Sequence, residues 1–150
     1  MNRGYYLKGE YPLQLEGSLK TALQQAMVQC PGTNEEEGGV ILQGPTEFEF
    51  IKLRNQHTGT PVAVGFFEAD REEYGQLVIP RFDAGLKNFA SFHTHPTGCR
   101  AMPSTIDLTR LFNGFPINFI CSPSMGELYC YTHRGSFEEA ITWGVSPVLF

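Results

Sequence analysis

Asn88-Phe89-Ala90-Ser91-Phe92-His93-Thr94-His95 is the stretch whose reading decides the fold. It carries aromatic residues and a β-branched threonine with no internal Gly or Pro, the composition of a β-strand. Alternate side chains of a strand share a face, so His93 and His95 come side by side while Thr94 points away. Two imidazoles aligned in this way are half of a metal site. Pro96-Thr97-Gly98 ends the strand in a turn, and beyond Pro103 the segment Ser104 to Gly114 has helical period, with an apolar face at Leu108, Leu111 and Phe112. Asn113-Gly114, with Pro116 beyond, closes that helix. Asp107 lies in its first turn, where a carboxylate completes a two-His, one-carboxylate zinc site and leaves the fourth position to water.

Each piece has a plainer explanation when taken alone. Ser104-x-x-Asp107 before an apolar run is also a helix capping box that needs no metal, and a His-x-His pair in a strand is often structural. The combination of pair, turn, return and carboxylate between His93 and Asp107 favours the metal site. Zinc hydrolysis also needs a base, because the metal brings the water pKa to about 7 and a nearby carboxylate then handles the proton. The candidates lie in Asn34-Glu35-Glu36-Glu37-Gly38-Gly39-Val40-Ile41-Leu42, which ends a loop and begins an apolar strand. One glutamate at that junction is carried toward the metal by the sheet, while the others read as a solvated acidic turn.

Together these segments, Glu-x-Gly-Gly before an apolar strand, His-Thr-His-Pro, and Pro-Ser-x-x-Asp-Leu, resemble the signature of the JAMM (JAB1/MPN/Mov34) metalloproteases. The resemblance extends over most of the chain: Leu53-Arg54-Asn55 is similar to the family's second-strand asparagine, Gly65-Phe66-Phe67 to the strand that follows, and Phe115 to Tyr131 to its closing hairpin. It implies an α+β fold, an α/β/α-like sandwich with a central mixed β-sheet flanked by helices, the cytidine-deaminase-like arrangement of JAB/MPN domains. It further implies one catalytic Zn2+ held by His93, His95 and Asp107, a general base at Glu36, and Ser104 hydrogen-bonding the tetrahedral intermediate or the bound water. Glu36 precedes Gly38-Gly39 by the family's usual interval, although Gly44 falls one residue late and leaves Glu37 as the alternative. Pro96 to Pro103 also make a longer connection to Ser104 than the family usually has.

The implied reaction is amide hydrolysis by a metallopeptidase or isopeptidase. Its substrate would be a ubiquitin-like protein, its conjugate or its precursor, cut after a C-terminal Gly-Gly. Two rivals share the fold: a non-catalytic MPN-like scaffold, and a peptidase acting on another amide, as in phage-tail, cell-wall or DNA-repair-associated relatives.

A chain of 150 residues, 41% hydrophobic and 13% aromatic, suits a single domain over 1–150 with a sizeable core. No apolar run has the length of a transmembrane helix or a signal peptide, so a cytoplasmic protein without a membrane partner is expected. A net charge of -5 with no basic cluster argues against nucleic-acid binding. The sequence leaves the oligomeric state open. Cys30, Cys99, Cys121 and Cys130 have no Cys-x-x-Cys spacing and read as reduced thiols, with Cys121 and Cys130 filling core space around a hairpin. Cys99, in the loop after the His pair, is the one thiol placed to act as a fourth ligand, which would close the site. His57 and His133 have no ligand partner in sequence.

The remaining chain predicts a helix from Leu19 to Val28, with Leu19, Ala22, Leu23 and Ala26 on one stripe and Cys30-Pro31-Gly32 at its end. Strands are expected at Gly39 to Gln43, Glu47 to Leu53 and Pro61 to Phe67. A helix begins at Asp70, is interrupted by Pro80, and leads through Lys87 into the His strand. Glu138 to Trp143 is a final helix or strand, and Gly144 to Phe150 a tail whose apolar end docks on the body.

Overall fold

The computed structural model describes residues 13–14, 17–101, 115, 117–132 and 146–149. A short strand β1 (Leu13–Gln14) leads to helix α1 (Gly17–Gln29), then to an antiparallel pair, β2 (Gly38–Gln43) and β3 (Phe48–Leu53). Three short helices follow: α2 (Val62–Gly65), α3 (Arg71–Leu77) and α4 (Ile79–Asp83). Strand β4 (Lys87–Thr94) carries the His pair, and the chain continues through β5 (Ile117–Ser122), β6 (Glu127–Thr132) and β7 (Ser146–Leu149). Among the described residues these strands form one mixed seven-stranded sheet in the order β1-β7-β6-β5-β4-β2-β3. β4 pairs with β2 antiparallel and with β5 parallel, which places the His strand inside the sheet. A parallel pair needs a crossover of about a dozen residues or more, and residues 95–116 supply it.

Strand alternation separates two cores, one on each side of the sheet. Ile41, Phe50, Ala90, Phe92 and Phe119 face α1 and pack against its stripe of Leu19, Ala22, Leu23 and Ala26. On the opposite side, Val40, Leu42, Ile51 and Leu53 form a second core with Val78, joined by Tyr74, Phe82 and Leu86 from α3, α4 and the turn into β4. Burying each large side chain here contributes roughly 1.5–3 kcal/mol. Helices on both faces of a mixed sheet make the expected α/β/α sandwich. α1 matches its predicted stripe residue for residue. α3 starts after Asp70, whose side chain accepts from the Glu72 backbone N–H as an N-cap. The break falls at Val78, and Pro80 sits in the first turn of α4, where its missing N–H costs nothing.

One predicted element is different. Residues 61–67 are not a strand: Pro61 takes a right-handed helical conformation, and Val62–Gly65 make a single helical turn. Strand propensity at Val62 and Val64 is overridden because both are about half exposed, 49% and 47%, while Ala63 between them is buried. Neither valine has a sheet face to pack against, and backbone bonds from Ala63 to Thr60 and from Val64 to Pro61 close the turn instead. The tail expected at 144–150 contributes strand β7, paired with β6 antiparallel and β1 parallel. The helix predicted over 104–114 and the element predicted over 138–143 lie outside the described residues.

Candidate metal centre

The site begins with how closely β2 and β4 approach. A Cβ on Gly38 would collide with the Phe92 carbonyl and press on His93, and one on Gly39 would collide with the Ile51 carbonyl. Glycine at both positions lets the three strands close up, which explains Gly-Gly at the start of β2. The two residues before it are fixed by backbone bonds on both sides. Glu36 N–H donates to the Ala63 carbonyl (2.8 Å), and the Glu36 carbonyl accepts from Asn55 Nδ2 (3.0 Å). Glu37 N–H donates to Thr94 Oγ1 (3.0 Å), and the Glu37 carbonyl accepts from Thr94 N–H (2.8 Å). Asn55 is buried, and its amide also donates to the Phe66 carbonyl (2.9 Å) while its oxygen accepts from the His57 N–H (3.0 Å).

Alternation then sends the two glutamates to opposite faces. Glu36 is buried, with Oε1 3.9 Å from His93 Nε2. Glu37 points to the α1 side, where it pairs with Lys52 Nζ (2.9 Å) and accepts from the Gly32 N–H (2.7 Å). Gly32 has φ +56, and a Cβ there would collide with Thr94 Oγ1, so this turn too requires glycine. Of the two candidates for the base, only Glu36 reaches the histidines.

His93 and His95 lie on one side of β4, with ring centroids 5.3 Å apart, and both are buried. Thr94 faces the other way, as expected. His95 is just past the end of β4, yet its N–H still donates to the Cys121 carbonyl (2.8 Å), so the ring is carried by sheet geometry. His95 Nδ1 lies 2.6 Å from the Arg100 carbonyl. A carbonyl only accepts, so Nδ1 donates here, which in the neutral ring leaves the lone pair on Nε2, the arrangement that suits a metal-ligating histidine. The Phe67 ring lies nearly parallel to His93, 7° between planes and 6.4 Å between centroids.

One ligand atom from each of Glu36, His93 and His95 lies within 4.8 Å of the others, and all three residues are buried. Neighbouring ligands on a tetrahedral zinc are about 3.3 Å apart, given metal–ligand distances near 2.0–2.1 Å. Two imidazoles and a carboxylate are nitrogen and oxygen donors of the kind zinc takes, so this donor set fits the metal. The cluster lies at the C-terminal ends of the parallel strands β4 and β5, where ligands bind in open sheets of this kind.

Of the residues singled out from sequence, Glu36, His93 and His95 come together. Ser104 and Asp107 lie outside the described residues, as does His133. His57 is engaged with Glu68, Nε2 to Oε1 3.0 Å. Cys99 is an exposed free thiol. Cys30, Cys121 and Cys130 are buried and free, and burial pushes the Cys30 thiol up to about 12, the Cys121 thiol up to about 11 and the Cys130 thiol higher still.

Sequence reading missed the support of the loop after the His pair. Gly98 N–H donates to Ser124 Oγ (3.0 Å), Ser122 Oγ donates to the Cys99 carbonyl, and Arg100 Nη2 pairs with Glu127 Oε2 (2.7 Å). The Glu127 carboxyl is held below its ordinary range by the hydrogen bond from Arg100 and then by that from the Ala101 N–H. The partners are separated by 23 to 27 residues of chain, and no local pattern marks them.

The profile of the family described as prokaryotic homologs of the JAB domain matches residues 20–133. No curated protein matches the chain. Among solved structures, the solution structure of protein DSY2949 from Desulfitobacterium hafniense is 18% identical, with a TM-score of 0.58 over 91% of this chain and 90% of that one, a likeness of fold. AF2198, a JAB1/MPN domain protein from Archaeoglobus fulgidus, is 20% identical, with a TM-score of 0.46 over 89% of this chain and 95% of that one.

Proposed function

The chain belongs to the family of prokaryotic homologs of the JAB domain, matched over residues 20–133, and we propose that it is a zinc-dependent isopeptidase or processing peptidase. Its substrate is a ubiquitin-like protein, its conjugate or its precursor, cut at the amide bond after a C-terminal Gly-Gly. The observation that carries this reading is the buried meeting of Glu36, His93 and His95. Three titratable groups taken out of water at the C-terminal ends of the central strands have a use as metal-site chemistry that they lack as core packing.

His93 and His95 would hold the ion, with Asp107 as the third protein ligand. When bound, zinc supplies a water of lowered pKa and polarises the scissile carbonyl. Glu36 takes the water proton and returns it to the leaving amine, a general-base and general-acid role worth about 10²–10⁴-fold in rate. Its backbone bonds to Ala63 and Asn55 hold the carboxylate at the histidines before substrate arrives, so little of that rate is lost to reorganisation. Ser104 donates to the carbonyl oxygen as it gains charge. An extended diglycine tail docks through backbone hydrogen bonds, and absence of side chains lets it approach closely.

The test is cleavage of ubiquitin-like proteins extended beyond Gly-Gly, either by a peptide or by an isopeptide-linked lysine, with products weighed by mass spectrometry. The zinc-loaded protein should release a product ending in Gly-Gly, and Glu36→Gln should retain zinc yet cleave at least about 10²-fold more slowly. A zinc-loaded protein that cleaves none of these substrates would leave the non-catalytic scaffold as the better reading.

A further inference from the structure

The Arg100–Ala101 peptide group has two hydrogen bonds on opposite sides. Its carbonyl accepts from His95 Nδ1 at 2.6 Å, and its N–H donates to Glu127 Oε1 at 3.1 Å. A trans peptide is planar and its C=O and N–H point in opposite directions, so fixing one end aims the other. We propose that Glu127 is a positioning residue for His95, acting through the Arg100–Ala101 peptide to hold the imidazole as its Nδ1–H tautomer with Nε2 turned toward Glu36 and His93. This rests on the proposed metal site and adds to it a carboxylate that lies far from the cluster in sequence.

Burial supports the assignment. Ala101 is fully buried and His95 is 6% exposed, so the linking peptide has a specific partner at each end rather than exchangeable solvent. The carboxylate accepting from the N–H also strengthens the carbonyl as an acceptor, since hydrogen bonds in a chain polarise one another. The order carboxylate, peptide, imidazole resembles the carboxylate–histidine arrangement common at zinc sites, with one peptide inserted. Glu127 is itself held by Arg100, whose Nε lies 3.3 and 3.2 Å from its two oxygens and whose Nη2 lies 2.7 Å from Oε2. It directly follows Gly126, the left-handed residue (φ +64) of the tight turn between β5 and β6, which anchors the carboxylate to the sheet.

The experiment reads the four imidazoles of the metal-free full chain by ¹⁵N NMR of their ring nitrogens near pH 8, with His95 identified by His95→Ala, and then titrates zinc. In the native protein His95 should be the Nδ1–H tautomer. Glu127→Ala should bring in the Nε2–H form and weaken zinc binding about 10–100-fold. Glu127→Gln, whose amide oxygen still accepts the Ala101 N–H, should keep the tautomer and lose less affinity. Arg100→Ala removes the guanidinium but leaves the peptide bonded at both ends, and should do the same. An unchanged tautomer with zinc affinity within twofold of native in Glu127→Ala would overturn the proposal. So would Arg100→Ala losing as much as Glu127→Ala, because the ion pair rather than the peptide would then be the working part. If Glu127→Ala fails to fold, Glu127→Leu, which fills the space but accepts no hydrogen bond, takes its place with the same expected and overturning results. A native chain that takes up no zinc would remove the proposed function, while the tautomer comparison in metal-free protein would still test the relay.

Discussion

On the α1 face of the sheet, Ile41, Phe50, Phe92 and Phe119 make a dry core, with Phe50 and Phe92 packed edge to face at 5.7 Å. On the other face the same strands carry Val40, Ile51 and Leu53 against α3 and α4, and two residues before Val40 comes Gly38, paired with His93. Both faces are buried, and both follow from period-two alternation. They differ at one end, where the second face has traded side chains for glycine and placed polar atoms in the space. The adjacent glutamates make the contrast plain. Glu36 goes to the histidine face and is buried, while Glu37 goes to the α1 face and ends in a half-exposed ion pair with Lys52. Identical side chains one residue apart acquire two different environments because a strand has two sides.

The contrast can be broken by substitution on either face. The largest effect on stability is expected from Phe92→Ala, about 3–5 kcal/mol by denaturant unfolding, because a fully buried ring leaves a cavity. Its side chain lies opposite the site, so zinc uptake at a temperature where the variant is folded should be retained; loss of zinc there would mean that the two faces are not independent. Gly38→Ala should cost about 1–3 kcal/mol by overpacking, and unlike Phe92→Ala it should also weaken zinc binding, since the added methyl presses on His93. A Gly38→Ala protein with native stability and native zinc affinity would show that close approach of β2 and β4 is not what sets the site. Glu37→Gln should have the smallest effect, within about 1 kcal/mol and without loss of activity, as expected for a partly exposed pair. A loss of cleavage comparable to that of Glu36→Gln would move the base to Glu37.

Much of this architecture was legible in sequence where one local signal dominated. The α1 stripe is read from spacing, the His strand from its composition, and the β5–β6 hairpin from the turn residues between Cys121 and Cys130 and from the family resemblance, while the shared side of His93 and His95 follows from their separation of two. Residues 61–67 misled because Val62, Val64, Phe66 and Phe67 have strand propensity, whereas Pro61 starts a helical turn and no strand among the described residues pairs with Val62–Gly65. The interval before Gly38-Gly39 favours Glu36 over Glu37, but that the two carboxylates go to opposite faces is visible only once β2 is registered against β4. Glu127 was beyond reach of sequence reading, because its connection to His95 runs through a peptide group and carries no side-chain pattern.

The central claim, that Glu36, His93 and His95 meet to form a zinc site, is tested most directly by zinc content. Elemental analysis of protein purified without added metal should give close to one zinc per chain in the native protein and close to none in His95→Ala, with Glu36→Gln retaining the metal. No zinc in the native chain, persisting after zinc is supplied, would contradict the account.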